Sequence, residues 1–180
     1  MAGGSLGASP QPSSQGRELR VESIMKTILI QVGKTVDKHF IAGIDDYVKR
    51  IGHYMPFQIV TIPELKNTKH LSEEQQKVME GELILRQIQP TDTVVLLDEH
   101  GKELRSIEFA SWIEKKQQVT RQLVFVIGGP YGFSDAVYNR ANEKLSLSKM
   151  TFSHQMIRLI FTEQFYRACT IIKGEPYHHE

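Results

Sequence analysis

The chain has 180 residues, of which 22 are Lys or Arg and 21 are Asp or Glu, and its formal net charge at pH 7 is +1. This length suits one domain, and so small a net charge excludes the global basic field of many nucleic-acid-binding proteins. No apolar run is long enough to cross a bilayer, so we expect no membrane contact. The single cysteine, Cys169, excludes an internal disulfide and fits the reducing cytoplasm, and its apolar surroundings predict a buried structural thiol.

The first 24 residues differ in composition from the rest of the chain. Residues 1–16, MAGGSLGASPQPSSQG, are rich in Gly, Ser, Pro and Gln and offer almost nothing to bury. They lack the basic start and continuous apolar core of a signal peptide. We therefore expect residues 1–24 to be a disordered leader or an expression scar, with an authentic disordered tail as the alternative. Residues 25–180 then form a single domain.

The rest of the chain alternates between predicted strands and predicted helices. Asp37 and Ser72 are the expected N-caps of the first two helices and Ser106 that of the third, whose inner side is expected to include Val119. Apolar runs predict strands at residues 26–32, 57–62, 93–97 and 123–127, and a short alternation predicts another at 145–148. Helical spacing predicts helices over about 37–51, 72–88, 106–119 and 134–141, and a last helix through 157–168.

Alternating strands and helices predict a mostly parallel α/β sheet. Ligands of such sheets bind at the carboxyl ends of the strands, where backbone groups are free of ladder bonds. Residues 97–101, 128–133 and 148–154 all follow strands and are expected to meet at that edge. Their convergence predicts a ligand site without naming the ligand.

Several local features have two interpretations. Residues 98–102, DEHGK, are predicted as a turn whose ionisable side chains either form a site or are the usual polarity of a turn. On the second helix, the charged residues are expected to face solvent. Gly81 is expected to lower the stability of that helix slightly. Residues 128–132 have the spacing GG-x-x-G, which is neither a dinucleotide fingerprint nor a Walker loop, so they predict either close backbone approach to a ligand or a tight turn with positive φ.

Several motifs, taken in order, point to one family. They are VIGGPYG at 126–132, LSLSKMTFSH at 145–154, Arg158, EQFYRA at 163–168 and PYH at 176–178. With these motifs, residues 25–180 resemble RlmH, the large-subunit ribosomal RNA pseudouridine methyltransferases of the SPOUT superfamily. The combination is specific, although each motif alone is weak.

The resemblance implies a fold and an activity. The implied fold is a mostly parallel α/β sheet with helices on both faces and a C-terminal trefoil knot, a rare exception among protein topologies. The implied enzyme is a homodimer that uses S-adenosylmethionine to methylate ring nitrogen three of a pseudouridine in 23S ribosomal RNA. Because the chain has no large basic footprint, we expect the acceptor to be the large subunit or the assembled ribosome, read by its shape.

The resemblance also assigns residues to the cofactor. The apolar ones can line an adenine slot and the glycines can admit the backbone, although core packing remains the alternative for each apolar side chain. The implied cofactor contacts are Leu97, Gly128, Gly129, Leu147, Ser148, Lys149, Met150, Thr151 and Phe152.

The acceptor nitrogen carries an imide proton, so we expect the enzyme to align the reactants and to favour the imide anion. His154 and Arg158 are one helical turn apart, and we hypothesise that they frame the target base together with the tail. The alternative for His154 is a neighbour of the helix cap, and the alternative for Arg158 is a surface charge. The tail residues are Tyr177, His178 and His179, of which His179 replaces the arginine or lysine common in the family. Two tail histidines alone are weak evidence for a metal, and we expect none.

The last predicted helix carries apolar residues on a second side, namely Leu159 and Tyr166. A homodimer partner is one way to bury that side. Two other functional classes stay open on sequence alone. One is a non-catalytic RNA- or ribosome-binding module on the same fold, and the other is a generic nucleotide-binding α/β protein.

Overall fold

The computed structural model describes residues 3–4 and 24–180. The predicted leader at residues 1–24 therefore lies outside the described residues, apart from residues 3, 4 and 24. The strands are β1 Lys26–Val32, β2 Phe57–Ile62, β3 Thr93–Glu103, β4 Gln122–Ile127 and β5 Glu143–Ser146. The helices are α1 Lys38–Ile51, α2 Glu73–Arg86, α3 Ser106–Val119, α4 Asp135–Arg140 and α5 His154–Lys173, with one 3₁₀ turn at Thr68–His70.

The five strands form one sheet in the order β2-β1-β4-β3-β5, and every pairing is parallel. Parallel strands need crossover connections, and helices supply most of them here. The central strand β4 is buried along nearly its whole length, as the continuous apolar run predicted. This arrangement confirms the predicted α/β class.

Alternate residues of β4 face two separate cores. Phe125 belongs to the core that contains residues of α1, α3 and α5, whereas Val124 and Val126 belong to the core that contains residues of α2 and α4. The helices therefore cover both faces of the sheet, as expected. The trefoil knot implied by the resemblance stays a prediction.

Local capping chemistry explains where several helices begin. The Asp37 carboxylate accepts hydrogen bonds from the backbone N–H groups of His39 and Phe40, and Ser72 and Gln75 form a reciprocal capping box. Both caps confirm the prediction. The second helix ends at Arg86, slightly before the predicted residue 88.

The third helix differs from the prediction at both ends. Arg105 is its N-cap, and the Arg105 N–H donates to the Glu108 carboxylate at 3.3 Å. Ser106 is already helical, and its hydroxyl bonds the Gln164 side chain at 2.8 Å. Val119 is 83% exposed, so its predicted place on the inner side is wrong. Helical spacing alone placed it inward, but as the last residue of α3 it faces solvent.

The predicted turn at residues 98–102 is also wrong, because β3 continues to Glu103. Leu97 and Lys102 both pair with Leu145, so the four residues between them bulge out of the ladder. A Cβ on Gly101 would lie 2.6 Å from the Leu145 nitrogen. Glycine at this position therefore lets the two backbones close under the bulge.

The second apolar side of α5 packs against α1 within the chain, where Leu159 and Tyr166 are half-buried, so a homodimer partner is not the only way to bury it. A Cβ on Gly43 of α1 would lie 2.8 Å from Leu159 Cδ1, so the two helices approach closely there. Tyr166 packs against the Tyr47 ring at 5.8 Å between centroids and against the Arg50 guanidinium at 5.6 Å. Charged substitutions at Leu159 or Tyr166 would therefore disturb the packing of α1 on α5.

Cys169 is buried on α5, as predicted. Burial raises the pKa of its thiol to about 12, so the thiol stays protonated at neutral pH. Among the described residues, no helix is both long enough and apolar enough to span a membrane.

Candidate functional site

The three predicted segments meet in one cleft of about 580 Å³ at the carboxyl edge of the sheet. Residues from the β3 bulge, from the turn after β4 and from the loop between β5 and α5 line this cleft. The structure thus brings together eight of the nine predicted cofactor residues, namely Leu97, Gly128, Gly129, Leu147, Ser148, Met150, Thr151 and Phe152. Lys149 belongs to the same loop, but it does not line the cleft and its side chain is exposed.

The turn after β4 contains three glycines, Gly128, Gly129 and Gly132. The Gly132 N–H donates to the Gly129 carbonyl at 3.2 Å, and Gly132 has the positive φ of 80°. A Cβ on Gly128 would lie 3.0 Å from the Phe133 ring. The tight-turn interpretation therefore holds for Gly132, whereas close approach of the backbone to a ligand at Gly128 and Gly129 stays a prediction.

The loop after β5 is held by its own serines. The Ser146 hydroxyl donates to the Ser148 carbonyl at 2.9 Å, and the Ser148 hydroxyl accepts from the Met150 N–H at 2.9 Å. Ser153 then caps α5 by accepting the Met156 N–H at 3.1 Å. Met150 is 77% exposed, which rules out core packing as the reason for this methionine.

The β3 bulge supplies an ionisable rim to the cleft. Asp98, Glu99 and His100 all line it, joined by Glu73 from the start of α2. Asp98 accepts hydrogen bonds from the His100 N–H at 2.8 Å and from the Tyr138 hydroxyl. Burial and this bond raise the pKa of Tyr138 to about 12, so it remains a donor. Three carboxylates beside an apolar slot favour a cationic ligand.

His154 lines the cleft from the first residue of α5. Arg158, one turn later, does not line it and is only 2% exposed, so the surface-charge interpretation is wrong. Its guanidinium donates to the Val32 carbonyl at 2.7 Å and to the Thr35 hydroxyl at 2.9 Å. Burial lowers the pKa of Arg158, opposed by the charge of Glu64. Arg158 therefore ties the start of α5 to the end of β1.

The predicted tail residues lie against the far part of α5. The Tyr177 hydroxyl donates to Glu163 at 3.1 Å, and Arg167 bonds His178 Nδ1 at 3.1 Å. Burial first, and then hydrogen bonding that includes Glu163, raise the pKa of Tyr177. At 1.5 Å per residue, Glu163 and Arg167 lie roughly 14–20 Å along the helix from His154. Within one chain, the tail therefore does not reach the cleft. His179 is exposed.

Sequence reasoning assigned no role to several residues that shape this region. Glu163 and Arg167 form an ion pair at 2.5 Å, and their i, i+4 spacing was a usable signal. Glu80 of α2 accepts the Gly129 N–H at 2.9 Å, and Tyr138 bonds Asp98. Neither Glu80 nor Tyr138 had a sequence signal, because both partners are distant along the chain.

Within residues 3–4 and 24–180, no group of three His, Cys, Asp or Glu side chains is arranged to hold a metal ion.

Comparison with known proteins identifies the family. A family model described as "Predicted SPOUT methyltransferase" matches residues 25–178. The chain is 65% identical over 157 residues to a Bacteroides fragilis protein named "Ribosomal RNA large subunit methyltransferase H", an alignment that covers 87% of this chain and all of the relative. Proteins of the same name from Phocaeicola vulgatus and Porphyromonas gingivalis are 64% and 52% identical over the same coverage. These similarities confirm the resemblance drawn from the motifs, and the chain belongs to the SPOUT methyltransferase family.

Proposed function

We propose that this chain is an S-adenosylmethionine-dependent methyltransferase that methylates ring nitrogen three of a pseudouridine in 23S ribosomal RNA. The observation that carries the proposal is the cleft itself, where the three strand-end segments meet. The names of the relatives, which state a ribosomal RNA large subunit methyltransferase, support the substrate class. Such an enzyme would act with ribosomes in the cytoplasm.

The cleft suits S-adenosylmethionine in size and chemistry. Its volume falls in the range of about 300–1,000 Å³ typical of small-molecule sites. Leu97, Leu147 and Phe152 offer apolar walls for the adenine, and Gly128 allows the main chain to approach it. The rim carboxylates suit the positive charges of the sulfonium and the α-ammonium groups. When bound, the cofactor supplies a methyl group activated by the sulfonium charge.

The residues at the cleft would position the acceptor. The pseudouridine nitrogen must lose its imide proton to attack, and we assign His154, which lines the cleft, to contact the target base. Alignment of the two reactants is worth about 7–11 kcal/mol in favourable cases. Arg158 would act indirectly, because its guanidinium holds the start of α5 and thereby sets the place of His154.

The tail residues would reach a cleft only in a second copy of the chain. Within one chain Tyr177 and His178 bond Glu163 and Arg167, which lie roughly 14–20 Å along α5 from His154, so the tail could instead frame the target base in a partner's cleft. A homodimer would provide this. Exposed apolar side chains at the beginnings of α1 and α5 support such an interface, namely Val36 (75%), Ile41 (37%) and Met156 (36%). The Val36 N–H bonds the Gln155 side chain at 2.8 Å, so this surface adjoins His154.

The test is methyl transfer to ribosomes that lack the modification, with mass spectrometry of the 23S RNA as the readout. The proposal expects one added methyl group on a pseudouridine when S-adenosylmethionine is present. In single-turnover reactions, His154→Ala should slow transfer, whereas His53→Ala, an exposed histidine outside the cleft, should not. Absence of transfer to free RNA, subunits and whole ribosomes would refute the proposal.

Calorimetry together with the methyl-transfer assay separates the alternative functions. An enzyme binds S-adenosylmethionine and transfers its methyl group, whereas a non-catalytic ribosome-binding module transfers none. A generic nucleotide-binding protein would prefer ATP or GTP over S-adenosylhomocysteine. The apolar slot with an acidic rim argues against a triphosphate ligand, because like charges would repel.

A further inference from the structure

Two consecutive residues of α2, Glu80 and Gly81, contact the segment that follows β4. Glu80 Oε1 accepts the Gly129 N–H at 2.9 Å. Gly81 is buried, and a Cβ placed on it would lie 2.4 Å from Ser134 Oγ. Ser134 is the N-cap of α4 and ends the segment that begins at Gly129. Helix α2 therefore touches both ends of the segment that forms one wall of the cleft.

The contact between Glu80 and Gly129 is close as well as hydrogen-bonded. A Cβ on Gly129 would lie 2.4 Å from Glu80 Oε2 and 2.6 Å from Oε1. The carboxylate therefore occupies the space beside the Gly129 backbone that a side chain would need. The close contact at Gly81 gives this glycine a packing role besides its predicted cost to α2, because a Cβ there would collide with the Ser134 side chain and crowd Val137.

The surroundings make this bond stronger than an exposed one. Glu80 is half-buried, which corrects the expectation that the charged residues of α2 all face solvent. Burial raises the pKa of Glu80, while the Gly129 N–H lowers it. A hydrogen bond from a peptide N–H to a carboxylate is about twice as strong as a neutral one. Two adjacent glycines have many accessible backbone conformations, and this bond restricts them.

Glu80 does not line the cleft, so any effect on a ligand must pass through Gly129. We propose that Glu80 is a positioning residue for the methyl-donor site: its carboxylate fixes the Gly128–Gly129 backbone in the shape that accepts the cofactor, and Gly81 allows α2 to approach closely enough. This inference rests on the proposed function, since it requires that S-adenosylmethionine bind in this cleft.

The first test compares Glu80→Ala and Glu80→Gln with Glu82→Ala, a matched control at an exposed residue of the same helix. Calorimetry with S-adenosylhomocysteine should give a Kd about tenfold higher for Glu80→Ala, because an orienting hydrogen bond is lost. Glu80→Gln keeps a side-chain oxygen that can accept the Gly129 N–H, so its Kd should stay within about threefold of the wild type. Glu82→Ala should match the wild type.

The second test is a double-mutant cycle that combines Glu80→Ala with Gly129→Ala. The methyl group added at position 129 collides with the Glu80 carboxylate in the wild-type background, but it has room once Glu80→Ala has removed that carboxylate. The two effects on Kd should therefore be less than additive. In methyl transfer, Glu80→Ala should raise KM for S-adenosylmethionine and leave KM for the ribosome unchanged. Thermal melts verify that each variant is folded. If Glu80→Ala does not fold, Glu80→Gln and Gly129→Ala, each compared with the wild type, still test the contact: Glu80→Gln should keep the affinity and Gly129→Ala should weaken it.

The outcomes separate the two proposals. A wild-type protein that binds no S-adenosylhomocysteine would overturn the proposed function and, with it, the premise of this inference. A wild type that binds, together with Glu80→Ala of equal affinity, would overturn the role of Glu80 alone. A folded Glu80→Gln as weak as Glu80→Ala, or strictly additive effects in the cycle, would also overturn it.

Discussion

Arg158 gives the sharpest contrast between a structural and a catalytic role. Its buried guanidinium bonds the Val32 carbonyl at 2.7 Å and the Thr35 hydroxyl at 2.9 Å. Replacement by methionine, which keeps most of the volume, removes both donors and leaves the Val32 carbonyl without this partner. Hydrogen bonds to charged groups contribute about 1.5–3 kcal/mol each, and the relieved burial of the charge offsets part of that. We therefore expect Arg158→Met to lower the free energy of unfolding by about 2–4 kcal/mol.

The measurement is urea unfolding followed by circular dichroism, with Arg121→Met as a control at an exposed arginine in the connection before β4. The control should unfold like the wild type. If the folded Arg158→Met protein is kept at low urea, its affinity for S-adenosylhomocysteine should stay within about threefold of the wild type, because Arg158 does not line the cleft. A variant of wild-type stability that lost methyl transfer would refute the anchoring role and support direct contact with the target base.

Three further predictions follow from the cleft, the core and the proposed interface. Gly128→Val should abolish S-adenosylhomocysteine binding by calorimetry in a folded protein, because even a Cβ there lies 3.0 Å from the Phe133 ring; unchanged affinity would remove this wall from the site. Cys169, whose buried thiol has its pKa raised to about 12, should react with Ellman's reagent at pH 8 only after unfolding in urea, and fast labelling of the native protein would contradict its burial. In sedimentation experiments Val36→Asp should dissociate the dimer, and it should also reduce methyl transfer. Val119→Asp, at a valine on α3 that is 83% exposed against 75% for Val36, should do neither, and a wild-type monomer with full activity would refute the dimer.

Much of the fold was predictable because local chemistry determines it. The β-branched run at 26–32 matches β1. The side chains of Asp37 and Ser72 cap their helices by accepting hydrogen bonds from backbone N–H groups two or three residues later. The meeting of the three strand-end segments was predictable for a different reason. In a parallel sheet the carboxyl ends of all strands lie on one edge, so chain order and strand identity suffice.

The features that sequence missed depend on partners far along the chain. The bulge after Leu97 exists because β5 pairs with β3 on both sides of it. No residue near position 98 indicates that pairing. Arg158 sits one helical turn from His154, yet it bonds residues 32 and 35 and is buried. The role of Gly81 depends on Ser134, which reaches α2 only in the folded chain. Spacing in sequence cannot report such contacts.

In the proposed complex, the backbone at Leu97, at Gly128 and in the loop 147–152 encloses one adenosyl group. The most direct measurement is a crystal structure of the protein with S-adenosylhomocysteine bound. We expect adenine between these three segments, with the Glu80 carboxylate still accepting the Gly129 N–H. Ligand bound elsewhere on the protein, or a cleft closed by its own side chains in the presence of saturating ligand, would contradict it.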